Sequence, residues 1–208
     1  MGKKSKKIKV GVLGGSFNPV HLGHLIAAEE VLRKNACDEV WFMPCYKHAI
    51  KSEKDLAKPV HRVQMLAKAL PKDSRYVVST FEIERGDLEN KTSYTIDTLK
   101  ALKKNYPNYE FFWIMGSNLS HEFHKWKQAS DLVKEIKIII IAIPGFDVKK
   151  FVTRSLFGKN KPIVLETSVV MTNISSSLIR ELIKAQKSIH FLVPEKVREY
   201  IEENKLYR

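Results

Sequence analysis

The chain has 208 residues, 44% of them hydrophobic and 28% charged, enough for one domain with a sizeable core and unlike a disordered or fibrous composition. Its formal net charge of +13 favours anionic partners: nucleotides, phosphorylated metabolites or nucleic acid. The longest apolar run, Ile138–Ile143, is far shorter than the ~18 residues that read as a membrane span.

In chain order, residues 1–7 form a basic arm read as disordered, with no apolar stretch after it to make a secretory signal. Ile8–Leu13 (IKVGVL) predicts a first strand, and the apolar spacing of Leu22–Lys34 predicts a helix. Glu39–Met43 predicts a second strand. Cys37 and Cys45 flank it without a CxxC pair, as in a reduced, cytoplasmic chain. Residues 47–58 have no period and read as a loop. Val60–Leu70 is an amphipathic helix, Tyr76–Ser79 a third strand, and Tyr94–Lys104 a helix with Ser93 as its N-cap. Glu110–Met115 is a fourth strand, Ala129–Lys134 a short helix, Ile136–Ile143 a fifth strand and Pro162–Leu165 a sixth. Ser175–Ala185 and Glu195–Glu203 are helices with no strand after them. Strands alternating with helices predict an α/β fold with a parallel sheet covered on both faces. The expected organisation is one domain over 8–208, its 170–208 part a small helical cap.

In such a sheet ligands bind beyond the carboxyl ends of the strands, so the turn after the first strand is the first place to examine. It reads Gly14-Gly15-Ser16-Phe17-Asn18-Pro19, followed by His21 and His24. Glycines allow backbone N–H groups close to an anion, and a helix N-terminus adds positive potential. Neither GxxxxGK[ST] nor GxGxxG is present, which excludes the Walker A and dinucleotide fingerprints. Two imidazoles one helical turn apart leave three readings open: a zinc pair, packed or capping histidines, and a phosphate clamp. The segment HEFH at 121–124 is one residue short of a zinc-binding HExxH.

The stretch GSFNPVHLGH resembles the [TS]-x-x-H-x-G-H signature of the nucleotidyltransferase superfamily. NISSSLIR at 173–180 resembles its ISSTxIR motif, with Ser177 where Thr is usual. Further along, DEVWFMP (38–44), HRVQML (61–66), TSYTIDTL (92–99), FFWIMGSN (111–118), KWKQASDLV (125–133) and the terminal SIHFLVPEKVREYIEENKLY are similar, in order, to nicotinate/nicotinamide mononucleotide adenylyltransferases. This resemblance runs from Lys9 to Tyr207.

It implies a Rossmann-like three-layer sandwich with a small helical C-terminal part. It also implies a reaction of ATP with a pyridine mononucleotide, with Mg²⁺ on the phosphates and no metal held by protein side chains. His21, His24 and Arg180 would be catalytic. Gly14, Gly15, Ser16, Phe17, Gly116, Asn118, Ile174, Ser175 and Ser176 would bind ATP and its phosphates. Asn18, Thr92, Tyr94 and Trp126 would bind the mononucleotide, with Trp126 stacking on the pyridinium. Trp41 and Trp113, inside strand patterns, are assigned to the core. The expected partners are these small molecules, with neither membrane nor nucleic acid; a homo-oligomer is left open. The chain departs from the family pattern at Asn18, where Asp is frequent though Asn also occurs, at Asn118, where Gly-x-Asp has Asp, at Ile143, where bacterial members carry Arg before Pro-Gly, and at 45–51, where the PPHK loop is absent. Lys47, His48 or Lys51 would be a substitute phosphate contact.

Overall fold

The computed structural model describes residues 6–47, 56–89, 92–148, 157, 160–166 and 174–208. Six strands form one sheet: β1 (Ile8–Gly15), β2 (Glu39–Pro44), β3 (Tyr76–Val78), β4 (Tyr109–Gly116), β5 (Lys137–Ile141) and β6 (Ile163–Leu165). The spatial order is β3-β2-β1-β4-β5-β6 and every pairing is parallel. Between and after them lie α1 (Leu22–Arg33), α2 (Pro59–Ala69), α3 (Phe81–Glu89), α4 (Thr95–Asn105), α5 (Ala129–Glu135), α6 (Ser176–Lys184) and α7 (Glu195–Glu203).

Both faces of the sheet are buried, which is why its strands read as continuous apolar runs. Successive side chains point to opposite faces. Val40, Phe42, Phe112, Ile114, Ile139 and Ile141 face a core with α1, α2, α6 and α7. Trp41, Met43, Phe111, Trp113, Ile138 and Ile140 face a second core with α4 and α5. Trp41 and Trp113 are buried, as the strand patterns require. The result is the three-layer Rossmann-like sandwich. No helix among the described residues is long and apolar enough to cross a membrane.

Four local expectations need correction. Helix α3 is absent from the sequence reading because its segment, FEIERGDLE, is short, polar and interrupted by Gly86. It exists because it docks: Gly86 lies so close to Tyr46 that a Cβ there would sit 2.3 Å from the Tyr46 side chain. Ser93 does not cap α4. The N-cap is Tyr94, without a side-chain bond, and the Ser93 hydroxyl instead accepts from the Tyr46 N–H at 3.1 Å. The fifth strand stops at Ile141, because the Ile143 N–H leaves the sheet and donates to Ser117 Oγ at 2.8 Å. Finally, Gly14 and Gly15 are extended strand residues, and the left-handed backbone of the turn falls on Phe17, at φ 46°. Residues 1–5, and within the predicted loop His48 and Lys51, lie outside the described residues.

Candidate active site

The ladder between β1 and β4 ends at Leu13 and Ile114, while β1 continues beside β2 to Gly15 and β4 continues beside β5 to Gly116. The chain order reverses between these two strands, so a cleft opens at their carboxyl ends, where ligands bind in open α/β sheets. Gly14 and Gly116 line its root. Each is small for a steric reason: a Cβ at Gly14 would lie 2.4 Å from the Trp113 ring, and one at Gly116 would lie 2.4 Å from Asn118 Oδ1 and 2.6 Å from Ile143 Cδ1. Gly15 is less constrained, its nearest side-chain neighbour being the Phe17 ring.

The Gly-Ser-Phe-Asn-Pro turn is held from below by Arg62, a residue missed in the sequence reading. Its guanidinium is fully buried and donates to the carbonyls of Ser16 (3.0 Å), Ala57 (3.0 Å) and Tyr46 (3.3 Å). Phe17, also buried, packs its ring edge-on to His24 at 4.9 Å and against Phe42. Asn18 and Pro19 are joined by a cis peptide bond.

His21 is the N-cap residue of α1, and His24 lies one turn in. Their rings stack at 3.7 Å. The His21 N–H donates to His24 Nδ1 at 3.2 Å, so a neutral His24 carries its proton on Nε2 and presents that atom as a donor. His21 Nδ1 is buried with no hydrogen-bond partner among the described residues. Burial holds the His21 imidazole down to a pKa of about 4, so in the unliganded protein it is neutral at pH 7. In the unliganded protein the His21 ring is thus a polar neutral group and not a standing cation. The first N–H of α1, from Leu22, is already engaged by the Leu192 carbonyl at 3.0 Å.

The two sequence motifs meet. Ser175 caps α6, accepting from the Leu178 N–H, and Ser176 donates to the Pro19 carbonyl at 2.8 Å. Arg180 donates to the Asn18 carbonyl at 2.9 Å. Ile174 lies at the start of this segment; its carbonyl is 3.9 Å from where a Gly23 Cβ would stand. Thus Phe17, Asn18, His21, His24, Ile174, Ser176 and Arg180 form one cluster.

The remaining predicted residues lie around it. Asn118 is exposed just past β4, in a 3₁₀ turn at Ser117–His121. Thr92 and Tyr94 flank Ser93, which joins them to the end of β2 through the Tyr46 N–H and the Lys47 carbonyl. Trp126 is half-buried on the second core, its ring 5.1 Å from Phe123 and perpendicular to Trp113 at 6.4 Å. Lys127 next to it sits 4.5 Å over the Tyr94 ring and pairs with Asp97, which ties the Trp126 loop to the start of α4. Among the described residues no contact brings Trp126 to the histidine cluster; Trp126 packs on the second core, and Phe17 and Ile174 on the first. Both cysteines are buried, and burial pushes the Cys37 thiol up to about 12 and the Cys45 thiol above its ordinary value, so neither is a ready nucleophile.

This sheet order, with a histidine pair on the first turn and a capped helix docked against it, defines a nucleotide-binding transferase of the cytidylyltransferase-like family, whose model matches residues 12–182. Among individual relatives, the chain is 36% identical over 199 residues to nicotinate-nucleotide adenylyltransferase from Bacillus subtilis, covering 96% of this chain and 98% of that one. It is 38% identical over 204 residues to a probable nicotinate-nucleotide adenylyltransferase from Carboxydothermus hydrogenoformans, with the same coverage. The fold matches a Plasmodium falciparum nicotinic acid mononucleotide adenylyltransferase complexed with NaAD, with a TM-score of 0.80, 24% identity and 96% and 97% of the two chains covered. The same protein complexed with APC gives a TM-score of 0.77 at 23% identity, again covering 96% and 97%. The chain belongs to the nicotinate-nucleotide adenylyltransferase family.

Proposed function

We propose that this chain transfers the adenylyl group of ATP to nicotinate mononucleotide, or to its nicotinamide counterpart, giving the dinucleotide and pyrophosphate in NAD biosynthesis. The observation that carries the site assignment is the docking of the 174–180 segment on the Phe17–His24 turn through Ser176 and Arg180. It gathers imidazole and guanidinium groups at one end of the β1–β4 cleft.

In this reading a phosphate oxygen of the mononucleotide attacks the α-phosphorus of ATP. The bond to the bridging oxygen breaks, and its electron pair leaves with pyrophosphate. The protein supplies no nucleophile; it positions and stabilises charge. The His24 Nε2–H donor and the neutral His21 ring face the ATP phosphates, with Gly14, Gly15, Ser16 and Phe17 supplying backbone contacts. Arg180 uses one donor on Asn18 and turns others, with the Ser175 and Ser176 helix start, to the leaving pyrophosphate. Gly116, Asn118 and Ile174 border the adenosine. Asn18, Thr92, Tyr94 and Trp126 take the mononucleotide. Mg²⁺ arrives on ATP as part of that substrate. The donors gathered here are N–H groups, which suit phosphate oxygens and leave the ion to phosphate and water. We place the reaction in the cytoplasm, where ATP is available.

The test is pyrophosphate release by the purified chain with ATP and Mg²⁺, comparing nicotinate and nicotinamide mononucleotides. Turnover with at least one is expected. ATP binding without turnover on either would redirect the assignment to another acceptor within the superfamily.

A further inference from the structure

Glu82, in the first turn of α3, is 6% exposed and stands outside the residues assigned to either substrate. Two hydroxyls donate to its carboxylate. One is Thr98 of α4, at 2.5 Å. The other is Ser93, just before that helix. Ser93 has a single hydroxyl proton to give, and its oxygen accepts from the Tyr46 N–H at 3.1 Å. The bonds therefore run one way, from the Tyr46 N–H to Ser93, and from Ser93 and Thr98 to Glu82. The Ser93 N–H adds a bond to the Lys47 carbonyl at 3.3 Å. Burial raises the pKa of Glu82, and the two hydroxyls, Arg85 of α3 and Arg62 of α2 work against that rise. Helix α3 is itself seated by the close approach of Gly86 to Tyr46. Ser93 and Thr98 bracket Tyr94, so one buried carboxylate ties the turn into α4 to the chain beyond β2.

We infer that Glu82 is a positioning residue for the acceptor side of the site: through the Ser93 hydroxyl it fixes the place from which Thr92 and Tyr94 meet the mononucleotide. The inference rests on the adenylyltransferase reading and on the assignment of Thr92 and Tyr94 to that substrate. Its logic is chemical. A serine beside a helix start ordinarily caps the helix. Here α4 begins at Tyr94 without a side-chain bond, because the Ser93 oxygen is turned to Tyr46 and its proton to Glu82. A buried carboxylate must have its lone pairs used, which makes this arrangement rigid. A glutamine in its place would offer one oxygen and an NH₂. The NH₂ cannot accept from a hydroxyl, so one of the two bonds would be lost.

The experiment is steady-state kinetics of wild type, Ser93→Ala, Glu82→Gln and the double variant, varying mononucleotide and ATP separately, with thermal melts of all four. Wild-type turnover tests the adenylyltransferase reading by itself. Given that turnover, each single variant is expected to raise KM for the mononucleotide about 5- to 20-fold and to leave KM for ATP within about twofold. The double variant is expected to lie within about twofold of the poorer single one, since both changes cut the same bond. Should Glu82→Gln not fold, Glu82→Asp takes its place in the same cycle: it keeps the charge and draws it back by one methylene. A lower Tm with both KM values unchanged would overturn the inference, because Glu82 would then be bracing the fold alone. So would equal rises in both KM values, or single effects that multiply in the double variant.

Discussion

His21 shows how much burial alone can decide. Its pKa falls to about 4 because the imidazolium would be desolvated. Between pH 6.5 and 4 the unfolded chain therefore binds a proton that the folded chain refuses, and stability is lost as pH falls through that window. A shift of this size corresponds to about 3 kcal/mol. Glu82 acts in the opposite sense: burial raises its carboxyl, so its contribution is fully present below its unfolded pKa and is lost as pH rises. Urea titrations of wild type and His21→Asn at several pH values separate the two. The wild type should show the steeper loss between pH 6.5 and 4, and parallel curves would mean that His21 is not desolvated. Trp126 carries a second prediction at this scale. Its edge is covered by Trp113 and Phe123, so Trp126→Ala should cost about 2 kcal/mol of stability. If its exposed face also stacks on the pyridinium, KM for the mononucleotide should rise about tenfold while KM for ATP stays put. Unchanged mononucleotide affinity would make Trp126 a packing residue only.

At the scale of elements, α2 is the piece that joins fold to site. Arg62 shares its inner stripe with Met65, Leu66 and Ala69, at helical positions i, i+3, i+4 and i+7. That place on an apolar stripe was the available signal, since an arginine there must be paired inside the protein. Its three acceptors are carbonyls of the first turn, the end of β2 and the lead-in to α2, so it fixes three loops at once. Arg62→Met should lower unfolding free energy by about 3–5 kcal/mol, because buried carbonyls lose their donors. Arg62→Lys should recover only part of it, because an ammonium lacks the planar fork. Denaturant melts of both variants measure this, and equal stability of Arg62→Met and wild type would remove Arg62 as the clamp. The same element scale explains why α3 was not legible. Its residues have no strong period, and it is held by Tyr46 against Gly86 and by the Thr98 hydroxyl donating to buried Glu82.

Across the whole molecule, the parallel sheet separates its two ends. β1 runs from Ile8 to Gly15, so its N-terminal end, next to Lys6 and Lys7, lies about 25 Å from the cleft. That is more than two Debye lengths at physiological salt. Deleting residues 1–7 should therefore leave kcat/KM within twofold at 150 mM salt, as pyrophosphate-release assays would read; a larger drop would give the arm a part in substrate capture. The C-terminus behaves in the opposite way. α7 packs on α2, with His61 Nδ1 2.9 Å from the Tyr200 hydroxyl, and the chain end continues to Asn18.

The sequence by itself determined the alternation of strands and helices, the first-strand turn with its histidine pair, the serine-capped arginine helix, and the tryptophans that belong to the core. All are encoded within a few residues, by side-chain period, capping chemistry or spacing. Only the tertiary structure decided that Gly14 and Gly116 are small for packing, that Phe17 takes the left-handed position, that His21 is neutral, and that Arg62 and Tyr207 hold the turn. These depend on what a distant segment places beside each residue. A buried cation, a desolvated imidazole and a hydrogen bond between residues 18 and 207 are products of packing, which local patterns do not contain.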